Sequence, residues 1–330
     1  MRKDSLSTLV CWLAALSPLG CGPVDVRSTP TASSATPVRL LVEPDAGPDA
    51  VVSLIAGARR SLWMEMYLLT DDTALAALEA RRRAGVDVRV VLEAHPFGAD
   101  GANQAAFERL SGAGAVVSWA SPRFALTHAK YFVIDGARLV VMTLNLTRAG
   151  LGANREYVVV DDDARDVIAA SSIFEGDRAG AAPSPPATSR LLASPTSARA
   201  PLADAVARAT RTVVVEMEEL SDGALVHALG DARARGCDVS VALPGAGRSG
   251  ATTAAARRLS DAGITVRAVD APTIHAKAVI ADDWLYVGSA NLTTASLDAN
   301  REVGLALTDA TARGVVAAAV GADLASGHAP

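Results

Sequence analysis

The feature that most constrains the fold of this chain of 330 residues is that one unit of sequence occurs in it twice. The matching segments stay in the same order over more than a hundred residues, and their spacing shortens only in small steps, from 151 residues to 146. Representative pairs are Arg39-Leu40-Leu41 with Arg190-Leu191-Leu192, Glu65-Met66 with Glu216-Met217, His128-Ala129-Lys130 with His275-Ala276-Lys277, and Asn145-Leu146-Thr147 with Asn291-Leu292-Thr293. The second copy is therefore the first copy with short deletions, and chance similarity does not explain the match.

Each copy alternates short apolar runs, typical of buried strands, with segments of helical Leu and Ala spacing that end at a glycine. The predicted strands are 62–69, 86–92, 212–220 and 239–243, and the predicted helices are 73–84 and 223–235. This order predicts an α/β fold of two similar sandwich halves related by a pseudo-two-fold axis. We place the halves at 38–178 and 189–326, joined by a linker at 179–188. A site on the axis would take groups from both halves.

The first residues predict a bacterial export signal. Arg2 and Lys3 precede an apolar run of about 11 residues, which is too short to span a bilayer, so residues 1–21 are interpreted as a signal peptide. The segment ending at Cys21 resembles a lipoprotein cleavage box, which predicts a lipid anchor on Cys21, with plain secretion as the alternative. Residues 22–37 are rich in Ser, Thr and Pro and are interpreted as a tether. The expected location is the bacterial cell envelope, with the protein lipid-anchored or secreted to the periplasm or outside the cell.

Lysine and asparagine are scarce in the chain. The 31 basic residues include only three lysines, Lys3, Lys130 and Lys277, so two lysines lie beyond the leader. Four of the five asparagines fall in the repeated segments: Asn145, Asn154, Asn291 and Asn300. In a chain that otherwise uses arginine instead of lysine, the few lysines that remain are expected to have a specific function.

The repeated polar residues suggest a phosphodiester site. His and Lys two positions apart project from the same face of a strand, so both side chains of each copy can reach one bound group. The lysines and asparagines would hold the non-bridging oxygens, while one imidazole attacks phosphorus and the other protonates the leaving alkoxide. No His, Cys or carboxylate cluster has convincing metal-ligand spacing, so we expect neither a metal nor another cofactor.

At these residues the chain resembles the phospholipase D superfamily, whose mark is His-x-Lys-x4-Asp followed by Gly-Ser-x-Asn and a later Glu. The pattern occurs once per half, and the similarity extends from Val38 to about Asp309. The resemblance implies a phospholipase D-like fold and a covalent phosphohistidine. The implied catalytic set is His128, Lys130, Asn145, Glu156, His275, Lys277, Asn291 and Glu302.

The resemblance also implies individual roles. His128 would be the nucleophile and His275 the general acid, while Glu156 and Glu302 would hydrogen-bond the imidazoles and fix their tautomers. Asp135, Thr143, Asp282 and Ser289 would support the motifs. The first half departs from the pattern at Met142-Thr143, where Gly-Ser is expected; the hydroxyl is retained, but Met142 is expected to crowd the site and narrow the substrate range.

The leading functional hypothesis is a hydrolase that removes phospholipid head groups, with transfer of phosphatidyl to alcohols left open as a second activity. The net charge of −5 favours lipid over nucleic acid, because nucleases neutralise phosphates with clustered basic residues. The alternatives are a metal-independent endonuclease, a cardiolipin synthase-like phosphatidyltransferase and a non-catalytic binder of anionic head groups. The expected partners are the phospholipid substrate and the membrane surface, with nucleic acid less favoured, and the expected state is a monomer with an internal pseudo-dimer. The acidic run 161–163 is interpreted as a solvated turn.

Overall fold

The computed structural model describes residues 36–330, so the predicted signal peptide, Cys21 and nearly all of the tether lie outside the described residues. In this described part, no helix has both the length and the apolar character needed to cross a membrane.

The first half contains seven strands and five helices. Its strands are β1 (Arg39–Glu43), β2 (Ser61–Met66), β3 (Asp87–Leu92), β4 (Val116–Trp119), β5 (Lys130–Ile134), β6 (Arg138–Met142) and β7 (Asn154–Asp161). Its helices are α1 (Pro48–Ala56), α2 (Asp72–Arg83), α3 (Gln104–Gly112), α4 (Arg148–Gly152) and α5 (Ala164–Arg178).

The second half repeats this order with one additional short strand. Its strands are β8 (Leu191–Ser194), β9 (Thr212–Met217), β10 (Asp238–Pro244), β11 (Thr265–Val269), β12 (Thr273–Ile274), β13 (Lys277–Ala281), β14 (Trp284–Gly288) and β15 (Glu302–Leu307). Its helices are α6 (Arg199–Arg208), α7 (Gly223–Ala234), α8 (Gly250–Asp261), α9 (Thr294–Asp298) and α10 (Ala310–Ser326).

Each half is built on a mixed sheet of equivalent topology. The strand order is β1-β7-β6-β5-β2-β3-β4 in the first half and β11-β10-β9-β13-β14-β15-β8 in the second. The parallel strands, such as β2 and β3, are joined through helices, and β5 runs antiparallel to β2. The short strand β12 of the second half pairs with β7 of the first. The predicted α/β fold of two similar halves is therefore confirmed.

The core is divided into three apolar clusters. Two of them lie within single halves, one around Leu62 and Val88 and the other around Val213 and Val239. The third contains residues of both halves, including Tyr157, Val303 and Val316. Because this shared cluster is fully buried, the two halves pack as parts of one body.

The predicted strands 62–69 and 212–220 are too long at their carboxyl ends. The strand β2 ends at Met66, because the chain beyond it leaves the sheet and the Leu69 amide donates to the Asn103 side chain at 2.9 Å. The strand β5 begins at Lys130, so His128 lies in the segment just before the strand rather than within it.

The expectation that Met142 crowds the site is wrong. Its side chain is fully buried in the apolar core of the first half. In the second half, Tyr286 fills the equivalent space, and a Cβ on Gly288 would approach the Tyr286 hydroxyl to 2.6 Å. The first half therefore fills this part of its core with Met142, and the second half fills it with Tyr286 beside Gly288. The difference between Met142 and Gly288 affects packing in the core.

The interpretation of residues 161–163 as a solvated turn is wrong for Asp161 and Asp163, although Asp162 is exposed. Asp161 is fully buried and pairs with Arg190 at 2.7 Å. Asp163 caps helix α5 by accepting from the Arg165 amide at 3.0 Å. These acids fasten the start of the second half to the end of β7.

Two buried ion pairs cross between the halves at equivalent places. Arg155 of the first half pairs with Asp323 of the second at 2.6 Å, and Arg301 of the second half pairs with Asp177 of the first at 2.5 Å. Both arginines immediately precede the glutamates of the repeated motif. The interface therefore holds Glu156 and Glu302 in place through their neighbours.

Breaking one of these pairs should destabilise the whole body. We expect Arg301→Met to lower the free energy of unfolding by about 3–5 kcal/mol, because it leaves the Asp177 carboxylate buried without its partner. Equilibrium denaturation in urea measures this effect. Arg208→Met removes an exposed pair with Asp204 and should change stability by less than about 1 kcal/mol. Equal effects of the two substitutions would contradict the assignment.

Candidate active site

The backbone brings the two copies of the motif together by crossing between the halves. The His128 amide donates to the carbonyl of Arg301 at 2.9 Å, and the His275 amide donates to the carbonyl of Arg155 at 3.3 Å. Each histidine segment is therefore held against the Asn-Arg-Glu segment of the opposite half. The side chains of both motifs meet on the pseudo-two-fold axis.

The histidine–glutamate pairs are crossed in the same way. His128 Nδ1 lies 3.0 Å from a carboxylate oxygen of Glu302, and His275 Nδ1 lies 2.6 Å from Glu156 Oε1. Each imidazole therefore contacts a carboxylate of the other half, and for His128 this contact is a hydrogen bond. With its proton on Nδ1, facing Glu302, His128 keeps the Nε2 lone pair free.

The hydroxyls of the motif support the glutamates and the strands that carry them. Thr143 Oγ1 donates to Glu156 Oε2 at 2.5 Å and accepts from the Tyr157 amide at 2.9 Å. Ser289 Oγ accepts from the Val303 amide at 3.0 Å in the equivalent place. Both hydroxyls therefore accept from the amide that follows the motif glutamate, but Thr143 donates to its glutamate whereas Ser289 donates to the Val303 carbonyl.

Both lysines of the motif are fully buried, and each donates to the carbonyl of its own histidine, at 2.7 Å for Lys130 and 2.5 Å for Lys277. Burial, together with the neighbouring Lys277, lowers the pKa of Lys130 to about 7. A bound phosphate would favour the charged form of Lys130, because its negative charge offsets both effects.

Burial also lowers the pKa of His128, and the positive charge of Lys130 acts in the same direction, although Glu302 opposes both. Burial raises the pKa of Glu302, but the neighbouring His128 and Lys130 hold it below its usual value. Near neutral pH this pair therefore consists of a neutral imidazole and an ionised carboxylate. A neutral imidazole is the form that can attack phosphorus.

The two halves differ at one position that the sequence analysis missed. Tyr67 lies edge-on to the His128 ring with centroids 4.5 Å apart, and Lys130 Nζ lies 4.8 Å from the Tyr67 ring centroid. The equivalent residue of the second half is Glu218, whose Oε2 lies 2.7 Å from Lys277 Nζ. Tyr67 and Glu218 are paired when the two copies are aligned at the spacing of Glu65 and Glu216. The difference between the two halves at this position was therefore visible in the sequence.

The two asparagines of the motif have different surroundings as a result. Asn291 Oδ1 accepts from the Glu219 amide at 3.1 Å, and its Nδ2 donates to Glu218 at 3.2 Å. Asn145 Oδ1 is buried and has no hydrogen-bond partner among residues 36–330. The Asn145 oxygen is thus unpaired in this part of the chain, whereas Asn291 is held at both ends of its amide.

Asp135 and Asp282 lie away from the imidazoles. The Asp135 carboxylate accepts from the backbone amides of 59–61, and Asp282 accepts from those of 210–212. These bonds hold the end of each motif strand to the start of the neighbouring strand. Both aspartates have positive φ, 56° and 51°, which a tight turn requires.

Comparison with known proteins identifies related sequences and folds. The sequence model of a family described as "Cardiolipin synthase, PLD-like domain", where PLD stands for phospholipase D, matches residues 51–178 and 202–320. Together these segments cover more than half of the chain. No curated protein sequence matches significantly.

Several solved structures share the fold at low sequence identity. Phosphatidylserine synthase of Haemophilus influenzae is 13% identical with a TM-score of 0.67, and the match covers 88% of this chain and 86% of that one. Polyphosphate kinase of Porphyromonas gingivalis is 17% identical with a TM-score of 0.67, covering 87% of this chain but only 50% of the kinase. A mutant of yeast tyrosyl-DNA phosphodiesterase is 10% identical with a TM-score of 0.51, covering 82% and 90%.

Proposed function

Because the chain belongs to the family of cardiolipin synthase and phospholipase D-like domains, we propose that it cleaves the head-group phosphodiester of phospholipids through a covalent phosphohistidine. The observation that carries the proposal is the pair of crossed contacts, His128 with Glu302 and His275 with Glu156. Two oriented imidazoles beside two buried lysines supply a nucleophile, an acid and charge stabilisation in one site.

In the first step, His128 Nε2 attacks phosphorus and the bond from phosphorus to the head-group oxygen breaks. The lowered pKa of His128 supports this assignment, because the attacking nitrogen must be unprotonated. The general acid is His275, whose Nδ1 faces Glu156 and whose Nε2 faces Glu218 at 3.5 Å. His275 gives its proton to the departing head group as the bond to phosphorus breaks.

In the second step, a water molecule or an alcohol attacks the phosphohistidine. The now neutral His275 takes the proton of the attacking hydroxyl, and the bond from phosphorus to His128 breaks. Water yields phosphatidic acid, and an alcohol yields a new phosphodiester. Throughout both steps Lys130 and Asn145 stabilise the charge on the non-bridging oxygens.

A lipid substrate is favoured by the surface near the nucleophile. Phe97 is 89% exposed, and its amide donates to the Tyr67 hydroxyl at 2.6 Å. Because Tyr67 contacts the His128 ring, only Tyr67 separates this exposed aromatic residue from the proposed nucleophile. Many arginines are already paired with carboxylates, and a paired charge contributes less to binding of nucleic acid phosphates. They include Arg89, Arg109, Arg138, Arg155, Arg165, Arg178, Arg190, Arg199, Arg211, Arg301 and Arg313.

The family description favours a second candidate, a phosphatidyltransferase that joins lipid units. The same phosphohistidine serves both reactions, and the two differ in whether water or a lipid alcohol enters the second step. Phosphatidylglycerol supplied as both donor and acceptor distinguishes them, since transfer gives cardiolipin and hydrolysis gives phosphatidic acid.

The test uses the full chain with vesicles of phosphatidylcholine and phosphatidylglycerol in the presence of a chelator. We expect phosphatidic acid as product and a phosphoryl adduct on His128, detected by mass spectrometry after an alkaline quench, because the bond from phosphorus to an imidazole nitrogen is hydrolysed in acid. Plasmid and oligonucleotide substrates are assayed in parallel under the same conditions. Cleavage of nucleic acid without any lipid product would overturn the lipid assignment, and no adduct with any substrate would indicate a binding protein.

A further inference from the structure

Glu218 is a carboxylate of the site that has no counterpart in the other half. Its equivalent, Tyr67, presents an aromatic ring to His128 and Lys130. About a third of the Glu218 side chain is exposed, whereas Glu156 and Glu302 are buried. Glu218 therefore faces the space in which a substrate would bind.

The carboxylate of Glu218 contacts all three phosphate-binding groups of the second half. Its Oε2 lies 2.7 Å from Lys277 Nζ and accepts from Asn291 Nδ2 at 3.2 Å. Its Oε1 lies 3.5 Å from His275 Nε2. These are the cation, the amide and the imidazole that would otherwise meet the oxygens of a phosphate.

The corresponding trio of the first half meets no such carboxylate. Lys130 donates only to the His128 carbonyl, and it forms no ion pair within residues 36–330. Asn145 Oδ1 lacks a partner in the same part of the chain. The two phosphate-binding positions of this pseudo-symmetric site therefore differ in charge.

We propose that Glu218 determines specificity for the charge of the ligand. Its carboxylate lies against the Lys, Asn and His that the second half contributes to the phosphate site, and it disfavours phosphates that carry two negative charges. A phosphodiester carries one negative charge and meets one unfavourable interaction with Glu218. A phosphomonoester carries up to two charges, and the repulsion increases accordingly. The proposal deepens the proposed function, on which it rests for the choice of phosphate as ligand.

The position of Glu218 has a direct consequence for turnover in the proposed phospholipase reaction. The substrate head group is a diester, whereas the product phosphatidic acid is a monoester. Repulsion from Glu218 weakens product binding more than substrate binding, and so it assists product release. The ionised state needed for this repulsion is maintained by Lys277 and His275, which hold the pKa of Glu218 well below its usual value although burial opposes them.

The test measures binding of inorganic phosphate at pH 8, where it is a dianion, to the full chain by titration calorimetry. We expect Glu218→Gln to bind phosphate at least about tenfold more tightly than the unaltered protein, because one like charge is removed. The affinity for dimethyl phosphate, a monoanion, should increase by a smaller factor. Glu219→Gln is the matched control, because its carboxylate accepts from Ser249 and Thr252, which are not site residues.

Further variants locate the effect. Adding Lys277→Met to Glu218→Gln should remove the gain, because the freed ammonium is the group that phosphate would use. Glu218→Tyr copies the residue type of the first half and should also bind phosphate more tightly, which guards against misfolding of a single variant. Near-ultraviolet circular dichroism checks that each variant is folded.

Equal phosphate affinity in Glu218→Gln, Glu219→Gln and the unaltered protein would overturn the proposal. An equal gain for dimethyl phosphate and inorganic phosphate would also overturn it, because the effect would then not depend on ligand charge. Since binding is measured without turnover, tighter phosphate binding in a protein that forms no phosphohistidine would leave this inference standing and reject the proposed function.

Discussion

Replacing His128 with alanine should lower kcat/KM for phospholipid cleavage by at least about 10⁴-fold, the largest effect on activity that we expect of any single substitution. The reason is that His128 has an open Nε2, a neutral ring and a carboxylate partner on Nδ1. Without His128 no phosphohistidine forms. Water would then have to attack the phosphodiester directly, without the covalent intermediate that divides the reaction into two easier steps. Initial rates of phosphatidic acid release measure the loss.

The control for this substitution is His227→Ala. His227 is exposed and pairs with Asp231 on the surface of helix α7, so activity should stay within about twofold. His275→Ala adds a second comparison, because removal of the general acid should leave a phosphohistidine that forms slowly. An adduct that forms normally in His128→Ala would show that the nucleophile is assigned to the wrong half.

Replacing either site lysine with arginine should lower turnover by about 10³-fold or more, although positive charge is conserved. Lys130 and Lys277 are fully buried, and each ammonium already contacts the carbonyl of its own histidine. A planar guanidinium is larger than an ammonium and carries its donors in a fixed fork. It would displace the imidazole or the phosphate that the compact ammonium accommodates. Steady-state kinetics on both variants measure the effect.

The reverse exchange on the surface provides the control. Arg83→Lys alters an exposed arginine of helix α2 and should leave activity unchanged. Melting curves of Lys130→Arg and Lys277→Arg should remain cooperative, which separates loss of chemistry from loss of fold. Near-normal turnover in both lysine variants would indicate that the scarcity of lysine in this chain is compositional drift and has no catalytic meaning.

Much of the fold could be predicted from the sequence because duplication makes each half evidence for the other. A strand or helix signal that is ambiguous in one copy occurs again at the same place in the second, as with the helices that became α2 and α7. Strand ends were less predictable. Tyr67 to Leu69 continue the apolar run of β2, yet they leave the sheet because their backbone bonds to another segment.

The identity of the polar residues in the site was likewise readable from the motif, since His128 and Lys130 recur as His275 and Lys277. Met142 shows where such reading fails. A mismatch within the motif suggested an altered site, but the side chain points into the core, where Tyr286 fills the equivalent space in the other half. A pattern states which residue differs and does not state which way it faces.

The sequence by itself determined that two equivalent units exist and which side chains they bring to the chemistry, because these follow from local pattern and repetition. Only the tertiary structure decided that Glu302 serves His128 and Glu156 serves His275, and that Glu218 sits among His275, Lys277 and Asn291. The physical reason is that the partners are far apart in the sequence: 174 residues separate His128 from Glu302, 119 separate His275 from Glu156, and 57 to 73 separate Glu218 from its three partners. Pairing across the axis depends on how the two sheets pack, which no local pattern encodes.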